Sequence, residues 1–208
     1  MQGEGEAVSR SFQASRWAVL LAVAGLGGWL PAFAHSTAEG FQGGFVSGFT
    51  HPLDGWDHVA AMVAVGIWGA FLRQPAIWVL PIVFPVVMAL GGALGVLGVP
   101  VPLIEPGIAA SSMVIGLAIL AAWRAPLGSA GLIVGLFAVF HGHAHGAELP
   151  HAANPVAYSI GFVISTGLLH LAGIAFGLVV DRPGGRIALR GAGGVIAALG
   201  VAFLFGLL

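Results

Sequence analysis

The stretch GLIVGLFAVFHGHAHGAE, residues 131–148, decides how the chain is read. Its apolar half, 131–140, carries no charged residue, and the half that follows sets three histidines and a carboxylate among glycines and alanines. A run that apolar suits lipid, where an ionisable side chain near the bilayer centre costs at least ~2.5–3.5 kcal/mol. Ionisable groups at the end of such a segment call for something that neutralises them.

Composition extends this reading to the whole chain. Of its 208 residues, 58% are hydrophobic and only 7% are charged, and the mean hydropathy is +1.00. Soluble domains carry about 25% charged residues, so this chain cannot cover itself with a water-facing surface. The bilayer is its solvent. The net charge of -1 says nothing about partners, and no basic run is long enough to suggest nucleic acid. There is no lysine, and there is no cysteine, which excludes disulfides, thiolate metal sites and cysteine nucleophiles. The 34 glycines and 12 prolines are interleaved with Leu, Val, Ile and Ala, as membrane helices tolerate. GGALG at 91–95 and GAGG at 191–194 read as close-packing helix faces.

The fold class expected is an all-α integral membrane protein with six transmembrane helices after a cleaved signal peptide. A polar start with Arg10 and Arg16, an apolar run at 17–30 and AFA at 32–34 form the signal pattern. Residues 1–34 are then the signal and 35–208 a single transmembrane domain. The alternative is an uncleaved first membrane helix. Counted against the roughly 20 residues that cross a bilayer, the spans fall near 55–72, 76–97, 103–123, 129–145, 156–180 and 187–208, with a membrane-dipping stretch at 41–49. Pro81 and Pro85 predict a kink in the second span.

Arginines orient the bundle. Arg73, Arg124, Arg182, Arg186 and Arg190 follow the first, third and fifth spans. The positive-inside rule places those loops in the cytoplasm and both mature termini outside the inner membrane. A cleaved export signal independently requires an outside N-terminus.

With that orientation, the polar residues gather at the outer ends of three spans. HPLDGWDH brings His51, Asp54, Asp57 and His58 to the first, with Asp54 and His58 on one face if the helix begins at Pro52. Glu105 opens the third. His141, His143, His145 and Glu148 end the fourth, where His141, His145 and Glu148 share a stripe if the helix runs through Gly142 and Gly146. His143 faces away on an ideal helix. Imidazole and carboxylate without thiolate suit Ni²⁺, Co²⁺, Zn²⁺ or Cu²⁺, whereas Mg²⁺ and Ca²⁺ prefer oxygen shells.

Several of these groups also have a purely structural explanation. Asp54 suits a helix cap and Glu105 a carboxylate stabilised by the helix dipole, and His151 suits the headgroup zone. His170, past the middle of the fifth span, is either bonded to a helix hydroxyl such as Thr166 or a second station for an inward-moving ion, with Ser111 and Ser112 lining the route. His35, at the mature terminus, would add an α-amine to its imidazole as a chelating pair.

HPLDGWDH fits an H-x5-DH pattern through His51, Asp57 and His58, and FHGHAHGAE fits FHGxAHGxE. Together with GWDHVAAMVAVGIW and the outline of a signal plus six spans, they resemble the HupE/UreJ family of bacterial nickel/cobalt permeases. The resemblance implies inward transport of Ni²⁺, or Co²⁺, for metalloenzymes such as hydrogenase or urease. It implies no permanent cofactor and no catalysis. It also implies that His51, Asp57, His58, His141, His145 and Glu148 handle the metal. The chain carries no nucleotide-binding loop, so a secondary, non-ATP route is expected. Imidazole ligates only when neutral, so uptake should fall as pH drops below roughly 6. The competing reading from the residues alone is an intramembrane zinc-dependent hydrolase built on the same histidines, with Asp57 or Glu148 as general base.

Overall fold

In the computed structural model the described residues are 36–147, 149 and 154–208. The expected signal peptide, His35, Glu148 and His151 lie outside them. In lipid the backbone must satisfy its own polar groups, and the described regular structure is helical throughout. The order is α1 (Ser36–Asp54), α2 (Trp56–Leu72), α3 (Ala76–Val96), α4 (Ile104–Leu120), α5 (Leu127–Ala147), α6 (Pro155–Gly177) with a 3₁₀ turn Leu178–Asp181, and α7 (Gly185–Leu204).

Among the described residues, four helices are long and apolar enough to cross a membrane: α3, α5, α6 with its 3₁₀ turn, and α7. The segment Gln42–Asp54 and α2 pass the same test only as a pair bent by 83°, and α4 is a shorter apolar helix of 17 residues. The chain is thus a multi-pass membrane protein, and its described residues hold four or five spans that meet the length requirement, against six expected. The dipping stretch at 41–49 is part of α1, a continuous helix of 19 residues.

Each span has a lipid face and a packed face. In α3, Trp78, Ile82, Val86 and Leu90 are exposed, while Leu80, Phe84 and Met88 are buried. Both sets recur every four residues, as one helix divided between two environments requires. Pro81 and Pro85 sit inside α3 without ending it.

Glycine sets the closest helix approaches. A Cβ on Gly142 would meet the Met88 carbonyl, and one on Gly91 would meet that of Val139, so α3 and α5 touch backbone to backbone. Gly66 and Gly173 join α2 to α6 in the same way, and Gly116 and Gly193 join α4 to α7. Small residues let membrane helices pack at this range, where dispersion and close contact replace the hydrophobic effect.

These contacts carry every histidine of the outer motifs to one end of the bundle and the described arginines to the other. At the arginine end, Arg73 forms a two-pronged ion pair with Asp181, its Nη1 donating to Oδ2 at 2.7 Å. Arg190 donates to the Leu120 carbonyl at 2.8 Å, closing the last turn of α4.

Candidate metal centre

Three histidines from two helices converge. One ligand atom from each of His58, His141 and His145 lies within 4.8 Å of the other two. His58 enters from the first turns of α2, and His141 and His145 from the last turns of α5. The helix does run through Gly142 and Gly146 to Ala147, so the two imidazoles share a face one turn apart. The glycines between them serve packing: a side chain at either position would strike the backbone of α3.

Each ring is held by one nitrogen. His58 Nδ1 lies 2.8 Å from Asp57 Oδ1, which also accepts the His58 backbone N–H at 2.8 Å. His141 Nε2 lies 2.9 Å from Ser111 Oγ, and that hydroxyl donates to the Ile108 carbonyl at 2.6 Å. With its proton committed, Ser111 accepts from His141, which fixes the tautomer with a lone pair on Nδ1. His145 Nδ1 lies 2.9 Å from His51 Nε2. The second nitrogens, His58 Nε2, His141 Nδ1 and His145 Nε2, are buried and have no hydrogen-bond partner.

A buried polar atom left unpaired costs about 1–3 kcal/mol, and each of the three converging rings carries one. A dication repays that cost. Nitrogen ligands at about 2.1 Å from one ion stand about 3–3.5 Å apart, so the rings need only small rotations to close on it. Oriented by a carboxylate, a hydroxyl and a second imidazole, they have the outer support that metal-binding histidines require. Three imidazoles leave the rest of the shell to water or carboxylate.

The other expected residues divide clearly. Asp57 and His51 stand behind the ring nitrogens of His58 and His145, as supports. Ser111 supports His141, and Ser112 donates to the Asp57 carbonyl at 3.1 Å, tying α4 to the start of α2. Asp54 closes α1 instead of opening α2, whose N-cap is Gly55. It is exposed and does not share a helical face with His58. Glu105 is exposed in the first turn of α4. His143 points away, its Nε2 2.7 Å from the Val99 carbonyl. His170 is buried in α6, apart from the trio.

Two positions were not singled out from the sequence. Gly55 sits at the bend between α1 and α2, where a Cβ would lie 2.6 Å from Asp57 Oδ1 and 2.9 Å from His58 Nδ1. Phe84 is wholly buried against His141, at 5.4 Å between ring centroids. A glycine between two motif halves and the phenylalanine of PIVFP were the available signals.

The chain matches the family described as HupE / UreJ protein over residues 19–203. It is 40% identical to Protein HupE of Rhizobium leguminosarum bv. viciae over 177 residues, covering 85% of this chain and 93% of that protein. No solved structure matches it significantly. With a match running through all seven described helices and both histidine motifs, the chain belongs to the HupE/UreJ family.

Proposed function

We propose that the chain is a secondary transporter that takes divalent nickel, with cobalt as the alternative cargo, from the periplasm into the cytoplasm. The observation that carries this reading is the trio of buried imidazoles, each with one nitrogen tied and one unpaired. Family membership supports it, since the resemblance implies nickel and cobalt transport in the service of hydrogenase or urease maturation. The trio is the capture site: His58, His141 and His145 replace part of the ion's water shell, while Asp57, His51 and Ser111 hold the rings. Conduction needs a site strong enough to load and weak enough to release, and an incomplete nitrogen shell meets both demands.

In this reading the histidine end faces the periplasm and the arginine end the cytoplasm, because loops rich in arginine remain inside. The bent α1–α2 pair and the short α4 complete six crossings in a single domain that follows a signal peptide at 1–34. Glu148, next after the α5 terminus, joins the capture site as its carboxylate.

Radiolabelled nickel uptake into proteoliposomes tests the proposal, comparing the wild type with His58→Ala and His141→Ala and using cobalt and zinc as competitors. Uptake should be lost in both variants and suppressed by excess cobalt. Uptake unchanged in both would remove the trio from the transport path.

A further inference from the structure

We infer that His170 is an inner receiving station for the transported cation, divided from the capture site by the ring of Phe84. The inference rests on the transport reading above and adds a second site to it.

Its geometry starts with a proline. Pro85 has no N–H, so the Pro81 carbonyl, four residues earlier, has no donor within α3. The His170 ring faces that backbone carbonyl. A carbonyl only accepts, so the ring presents N–H there and keeps its lone pair on the other nitrogen. That second nitrogen, Nε2, is buried without a partner, and so are the hydroxyl oxygens of Thr166 and Ser165. Thr166 stands one turn before His170 on the same helical face, and both residues are buried.

A histidine needed only to satisfy Pro81 would be a poor choice, since an indole N–H could donate there without stranding a second polar atom in an apolar interior. An unpaired nitrogen and an unpaired hydroxyl one turn apart on one helix face offer a weak mixed nitrogen and oxygen site for a borderline dication. Phe84 links the two stations. Its ring centroid lies 5.4 Å from that of His141 and 5.5 Å from that of His170. With no polar atom to offer, the ring keeps a cation from sliding continuously between them. It must turn aside for each transfer, and two sites in series allow binding at each to stay weak.

The test uses the full-length protein, with Ni²⁺ binding measured in detergent and radiolabelled nickel flux measured in proteoliposomes. His170→Gln retains a donor for the Pro81 carbonyl, and His141→Ala serves as the capture-site control. We expect His170→Gln to bind nickel within about twofold of wild type and to lose about tenfold or more in uptake rate, whereas His141→Ala loses binding itself. Wild-type uptake by His170→Gln would overturn the inner station and leave the capture site standing. Loss of binding together with uptake in His170→Gln would also overturn it, by making His170 part of the first site. A wild type that carries no nickel would overturn both.

Discussion

His51 Nε2 and His145 Nδ1 lie 2.9 Å apart although 94 residues separate them in the chain. The 83° turn between α1 and α2 brings the contact about, because it folds His51 back over the end of α5. In the proposed capture site His51 therefore orients a ligand ring, and the two residues should respond differently to substitution. His145→Ala removes a ligand and should abolish high-affinity nickel binding. His51→Ala should weaken it by about 10–100-fold, the usual loss when the outer partner of a ligand is removed. Calorimetric titration of both purified variants with nickel checks the order.

Ser111 holds His141 in the tautomer that leaves Nδ1 free, by donating its own proton to Ile108. Ser111→Ala should therefore lower nickel affinity about tenfold while leaving the fold intact. Ser111→Thr keeps the hydroxyl and should restore most of that affinity. Equal binding by the alanine variant and the wild type would show that the hydroxyl does not set the ring.

Gly55 leaves room for the Asp57–His58 pair, which a Cβ would crowd at 2.6 Å and 2.9 Å. Its φ of -114° suits any residue, so Gly55→Ala should cost little stability and act by displacing the pair. Nickel affinity should fall several-fold, toward the lower end of the loss expected for disturbing an outer partner, with an unchanged melting temperature in detergent.

Much of this architecture was legible in the sequence, and the reasons are physical. Apolar runs near bilayer length marked α3, α5, α6 and α7, because lipid exposure makes a whole helix apolar and length alone defines it. The spacing of His141 and His145 placed two imidazoles on one face. The short helices were harder: α2 and α4 have 17 residues each, too few for length to settle whether they cross unaided. Which rings converge and which residues stand behind them was not readable, since H-x5-DH names His51, Asp57 and His58 alike. Which ring nitrogen stays free depends on contacts such as the Ile108 carbonyl beneath Ser111, which leave no mark on spacing. The bend also moved Asp54 to the end of α1, off the His58 face.

The absence of cysteine makes the proposed orientation directly testable, because any introduced thiol is the only one. Gln74→Cys lies beside Arg73 at the arginine end, and Val101→Cys lies in the loop before α4. In intact spheroplasts a membrane-impermeant maleimide should label position 101 and spare position 74, with both labelled after lysis. The reverse pattern would invert the bundle and make the histidine end cytoplasmic.

The central claim is that His58, His141 and His145 together bind the cation. Nickel K-edge X-ray absorption on the loaded, purified protein tests it most directly. The account predicts a shell containing three imidazoles completed by oxygen ligands, with imidazole scattering reduced in His58→Ala and His141→Ala. A shell of oxygen alone, or an imidazole signal unaltered by both substitutions, would contradict it.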